Sequence, residues 1–196
     1  MTSLSLFFGL LMTVSSFSPT QTPATGVVPE LAVAPTAIAL PVSIDFPVDA
    51  GYAQARQSGI TMSGQELQFV DLVNRERAAR GLNQLTIDPM LVRVARAHSR
   101  EMCDKRYFSH TSPTPRLATP LDRYLAMAPR PGWALIGENL FYCSIVDVAR
   151  GHRALMNSEG HRANILEPRY ENIGIGEYKS AEGHYYVTQM FLVKTD

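Results

Sequence analysis

Apolar residues recur at two different periods along this chain, and the change of period predicts its architecture. Between Ser63 and Gly81, Leu67, Val70 and Val73, continued weakly by Arg77 and Ala78, follow the three-to-four spacing of one helical face. Ser63 and Glu66 stand at capping-box distance ahead of them, and Gly81 suits the residue that closes a helix. A second helix is predicted from Asp88-Pro89, an N-cap with proline in the first turn. Leu91, Val94, Ala95, His98 and Met102 give it one buried face. A third helix is expected from Ile145 to about Met156. Prolines 113, 115, 120, 129 and 131 make residues 111–134 mostly loop, with a short helix over Leu121–Met127. The period then shortens to two. Ile173 to Tyr178 reads as a strand, His184 to Val193 as a longer one, and Lys179–Gly183 as the hairpin loop between them. Helices first and antiparallel strands last predict an α+β domain in which helices cover a small sheet.

Composition sets the boundaries. The first 55 residues hold no Lys or Arg, and six of the 13 prolines precede residue 50. Leu4 to Val14 is an apolar run of 11 residues, the length of a secretory h-region and short of the roughly 20 that span a bilayer. The missing n-region cations speak against that reading, and an uncleaved anchor is the alternative. Residues 1–22 are therefore read as a signal peptide, 23–62 as a disordered Pro/Ala-rich linker, and 63–196 as one domain. With 196 residues, 45% of them hydrophobic, the chain can build one ordinary core. Its net charge of zero gives no field that would attract nucleic acid. The protein is expected to be extracytoplasmic, monomeric and without an integral membrane segment once the signal is removed.

Five histidines carry the candidate chemistry. His98 lies on the apolar stripe of the second helix and reads as a hydrogen-bonded core residue. His152, between Arg150 and Arg153, reads as surface, and His184 as a turn residue. His110 and His161 stand in polar segments at the edges of elements, where site residues concentrate. Between them lies Gly137-Glu138-Asn139, a carboxylate beside a glycine that permits close backbone approach. Two imidazoles and one carboxylate can hold a divalent cation such as zinc, or exchange protons with a substrate. Spacing alone decides neither. Cys103 and Cys143 are a disulfide candidate in an exported protein. A bridge closing about 40 residues would contribute about 4 kcal/mol in the chain-entropy model. Free thiols or a catalytic cysteine are the alternatives. Trp133, the only tryptophan, reads as groove rim or packing.

Seven short segments then occur in a recognisable order: Leu72–Leu82, Ala97–Met102, Phe108–His110, Gly137–Leu140, Leu155–Leu166, Ile173–Gly176 and Tyr186–Phe191. In that order they resemble the CAP superfamily, the SCP-like extracellular domain shared with plant PR-1 proteins, venom antigen-5 and bacterial secreted proteins. The resemblance implies a three-layer α-β-α sandwich with a small antiparallel sheet. It also implies a groove carrying two histidines and two glutamates, able to bind a divalent cation in some members. His110, Glu138 and His161 match three of the four. Ser158 falls where the fourth glutamate belongs; Glu159 stands one residue away, about 100° around a continuous helix. Asn139 would lie in the same groove. A weakly held divalent cation and an unidentified small-molecule, lipid or peptide ligand are the expected partners. A metal-assisted or histidine-dependent hydrolase and a cell-envelope interaction scaffold are the alternatives.

Overall fold

Ser63 opens the first helix as its capping box predicts. In the computed structural model, which describes residues 59–195, Ser63 Oγ accepts from the Glu66 N–H (3.1 Å) and Glu66 Oε2 accepts from the Ser63 N–H (2.9 Å). Helix α1 spans Gly64–Ala78 and buries Leu67, Phe69, Val70, Val73 and Arg77. It is closed at Gly81 (φ +70°), where the Gly81 N–H reaches Ala78 O and the Leu82 N–H reaches Arg77 O, the paired bonds of a Schellman turn. Helix α2, Pro89–Asp104, starts where expected: Asp88 Oδ1 accepts from the Met90 and Leu91 N–H groups at 2.6 and 3.3 Å. The packed structure begins slightly before the expected boundary, because Met62 is buried and Thr61 O accepts from Arg96. The expected signal segment, and the linker as far as residue 58, lie outside the described residues.

The sheet has four strands in the order β1-β3-β4-β2: β1 (Thr86–Ile87), β2 (Trp133–Cys143), β3 (Asn172–Lys179) and β4 (Tyr185–Thr195). Neighbours are antiparallel except β1, a two-residue parallel partner of β3. The hairpin β3–β4 is the predicted one. Strand β2 was expected to be loop through residue 134. Covered by helices on both sides, it is buried continuously from Gly137 to Leu140 and shows no alternation to read.

Alternation along β3 and β4 builds the layers. Ile173, Ile175, Val187 and Phe191 face one side, into a core with α1 and the last two helices, α4 (Val148–Asn157) and α5 (Glu159–Leu166). Met190 and Leu192 face the other, against Leu91, Val94 and Ala95 of α2 and Tyr124 of α3 (Pro120–Leu125). The Ile-Gly-Ile-Gly pattern of β3 has a steric reason. A Cβ on Gly174 would stand 2.3 Å from Leu91 C, and one on Gly176 2.0 Å from Arg96 N. Only hydrogen on that face lets the α2 backbone rest directly on the sheet. The result is the α-β-α sandwich of the α+β class.

Two expectations about the helices are corrected. The third helix starts at Val148, capped by Asp147, rather than at Ile145, and it breaks at Ser158 (φ −90°, ψ 124°), which ends α4 and begins α5. His152 is not on the surface. It is 4% exposed, 3.8 Å from Glu76 of α1, and burial lowers its pKa. Arg77, fully buried, joins α1 to the last turn of α5 through Ile165 O (2.9 Å) and to the segment after it through Glu167 O (2.8 Å) and Tyr170 O (3.3 Å).

Candidate functional site

Strand β2 is the outer strand of the sheet, so residues from both helical layers can meet around it. Alternation sends Glu138 to the α2–α3 side and Asn139 to the α5 side. Gly137 is required here, because a Cβ would stand 2.3 Å from the Tyr170 hydroxyl and 3.0 Å from Asn164 Oδ1.

Glu138 is the centre of the site and its side chain is 1% exposed. Oε1 lies 2.8 Å from His110 Nδ1. Oε2 accepts from Arg123 Nη2 at 2.6 Å. Both oxygens are thus committed to protein partners. The His110 ring is about half exposed (52%), with Nδ1 toward the carboxylate. A carboxylate on Nδ1 fixes the tautomer that leaves the Nε2 lone pair available.

Arg123 explains why Glu138 can be buried. Its side chain is 4% exposed. Besides Glu138 it donates to His110 O (3.1 Å), Leu117 O (3.0 Å) and Ala118 O (3.3 Å), while its Nε is buried without a partner among the described residues. One side chain thereby neutralises the carboxylate and holds the backbone of the histidine that the carboxylate orients. The sequence reading did not select Arg123, and nothing in its local pattern separates it from a surface arginine.

The loop bearing His110 has a second anchor, Glu101 on α2. Its carboxylate accepts from Lys105 Nζ and Tyr107 Oη at 2.8 Å, Ser112 Oγ at 2.9 Å and Thr114 Oγ1 at 2.5 Å. Burial opposes its ionisation, but these bonds prevail and hold its pKa down at about 2. His98 is the core histidine that was expected. Its Nε2 lies 3.2 Å from Ser109 O, so that nitrogen carries the proton, and burial keeps the ring neutral by lowering its pKa. The same nitrogen stands 3.9 Å from Glu138 Oε2, so His98 borders the site from the α2 side.

His161 enters from α5. Its carbonyl accepts from Asn139 Nδ2 (3.1 Å), and Asn164 Nδ2 bridges Glu138 O (3.0 Å) and Asn139 Oδ1 (2.9 Å), tying α5 to β2. Its pKa is lowered first by burial and then by the charge of nearby His110. The structure therefore gathers His110, Glu138, Asn139 and His161 around one strand edge. The helix break at Ser158 invalidates the continuous-helix geometry, and Glu159 is exposed in the first turn of α5. Among the described residues no three His, Cys, Asp or Glu side chains converge on a possible metal position. Both Glu138 oxygens instead face Arg123 and His110.

The expected Cys103–Cys143 disulfide is not formed in this structure: both thiols are free. Cys103 packs with Met102, Leu140 and Tyr186 on the α2 side, whereas Cys143 packs in the core on the α1, α4 and α5 side. The sheet lies between them, and a bridge needs Cβ atoms about 4 Å apart. Among the described residues no helix is long and apolar enough to cross a membrane.

The cysteine-rich secretory protein family, CAP, matches residues 70–191. The uncharacterized protein YkwD of Bacillus subtilis is 38% identical over 141 residues, covering 68% of this chain; the chain spans about half (49%) of that protein. A crystal structure of an extracellular protein containing an SCP domain, from Bacillus anthracis, is 35% identical with a TM-score of 0.59, over 67% of this chain and 41% of that one. An outer surface protein from Borrelia burgdorferi superposes with a TM-score of 0.62 at 20% identity, over 69% of this chain and 97% of that one, a likeness of fold alone.

Proposed function

The chain belongs to the cysteine-rich secretory protein (CAP) family, and from that premise we propose that its domain is an extracytoplasmic binding module. Its edge groove takes a divalent cation through two histidines and, beside it, a small or extended ligand. The observation that carries this reading is the Glu138–His110 pair, 2.8 Å apart and backed by Arg123 at 2.6 Å. A metal-binding imidazole ordinarily gives its other ring nitrogen to a carboxylate, which orients the ring and raises its basicity. His110 has that partner, and its ring is half exposed. Burial lowers the pKa of His161, so its lone pair stays free of a proton to lower pH than usual.

The donor set fits a two-histidine site completed by water, with Glu138 behind His110 rather than on the metal. Two neutral ligands make such a site weaker than one holding a carboxylate. A bound cation would polarise an oxygen of the groove ligand. A hydrolase acting through a covalent intermediate would need a side-chain nucleophile beside the histidine. Among the described residues no hydroxyl or thiol is hydrogen-bonded to His110, which favours binding over hydrolysis. Extracytoplasmic placement is supported by the apolar segment within residues 1–22 and by the B. anthracis relative, itself extracellular.

Excess zinc is expected to raise the melting temperature of the full chain, because a ligand that binds only the native state stabilises it. His110→Ala with His161→Ala should abolish the rise. A rise that survives both substitutions would remove the site from this groove.

A further inference from the structure

Beyond the site, the end of α2, the end of β2 and the β3–β4 hairpin enclose a second cleft of about 510 Å³. Phe108, Tyr142 and Tyr186 form its walls, and Arg106, Glu182 and His184 border it. The rings are arranged as one aromatic surface around Tyr142: Phe108 at 5.8 Å and tilted, Tyr186 at 4.9 Å and tilted, His184 at 5.6 Å and stacked within 26°. Phe108 is 50% and Tyr142 41% exposed, so a large apolar area is left in water. Arg106, with φ +56°, is the one non-glycine residue in the left-handed region among those described. Its strained turn ends α2 and sends Arg106 and Phe108 into the cleft together.

We propose that this cleft binds neutral carbohydrate. A pyranose ring presents C–H groups on its faces and hydroxyls around its equator, each both donor and acceptor. The negative faces of Phe108 and Tyr142 suit the C–H surface. The border supplies a donor in Arg106, an acceptor in Glu182, and His184, whose Nδ1 is engaged by the Tyr142 hydroxyl at 2.7 Å and whose Nε2 can serve a sugar hydroxyl. The charges of Arg106 and Glu182 cancel, so neither an anion nor a cation is favoured. A purely apolar chain would make no hydrogen bond with Arg106, Glu182 or His184 Nε2. The cleft shares the 106–110 segment with the histidine site but contains neither His110 nor His161, so the two proposals fail separately.

The test titrates the full chain with cellohexaose, chitohexaose and maltohexaose, followed by calorimetry and by the alkylation rate of each thiol. At least one sugar should bind at millimolar concentration or below. It should slow labelling of Cys103, which lines the cleft, and leave Cys143, on the other face of the sheet, unchanged. Tyr142→Ala and Phe108→Ala should each weaken binding about fivefold or more. Tyr142→Phe keeps the ring and should retain most of it. Absence of binding by all three sugars, or binding indifferent to both ring deletions, overturns the proposal.

Discussion

Replacing Arg123 with methionine keeps the volume of the side chain and removes its charge and donors. In the native structure the arginine side chain (4% exposed) meets a carboxylate side chain (1% exposed) at 2.6 Å and satisfies three carbonyls of the His110 loop. Taking away one partner of a buried ion pair leaves the other desolvated and uncompensated, which costs about 3–5 kcal/mol. The carbonyls of His110 and Leu117, which lose this donor, add to that, less than additively. For a domain of this size the loss corresponds to a melting temperature lower by about 10–15 °C. Adding Glu138→Gln to Arg123→Met removes the stranded charge while keeping an acceptor for His110. The double variant should therefore regain about 2 kcal/mol over the single one. Urea unfolding of parent, both single variants and the double variant, extrapolated to water, measures each term. If Arg123→Met stays within about 1 kcal/mol of the parent, or if the double variant is less stable than it, Arg123 is not what makes a buried Glu138 tolerable.

Gly176→Ala should destabilise the domain by about 1–3 kcal/mol or more in the same assay, because the new Cβ meets the α2 backbone at 2.0 Å and helix backbone cannot yield. Glu101→Gln should cost stability at neutral pH and flatten the acid limb of the stability profile. The folded pKa of Glu101, about 2, lies below its unfolded value, so its contribution is complete above about pH 4.5 and is lost as pH falls toward 2. Chemical denaturation at a series of pH values checks the sign; an acid limb identical to the parent's would contradict it. Alkylation of the unreduced, denatured protein should add two adducts by intact mass, at Cys103 and Cys143; an unlabelled chain two hydrogens lighter would mean a disulfide and a different arrangement of the sheet.

The helices with strong signals were legible: Ser63/Glu66 and Asp88-Pro89 fix α1 and α2 because caps act locally. The hairpin was legible because β3 repeats Ile-Gly and β4, though buried from Tyr185 to Leu192, is rich in aromatic and β-branched residues. Strand β2 was not, since burial on both faces erases the alternation. His152 was misread from its charged neighbours, although Val148, Gly151, His152 and Leu155 hold the helical spacing of a buried face. At the site, the ordered motifs brought His110, Glu138, Asn139 and His161 to one strand edge. They could not give the role of Glu138, because that depends on Arg123, whose approach is a tertiary contact 15 residues away in the chain. The cysteines failed for a similar reason: an even pair does not say which face of a sheet each thiol occupies.

The role assigned to Glu138 is tested most directly by calorimetric titration of zinc into the parent, Glu138→Gln and His110→Ala chains. A carboxylate behind the ligand tunes affinity, and its loss should weaken binding about 10–100-fold while leaving it measurable. His110→Ala should eliminate it. Equal and complete loss in both variants would place Glu138 on the metal itself, and a parent chain that takes up no zinc would remove the cation from the account.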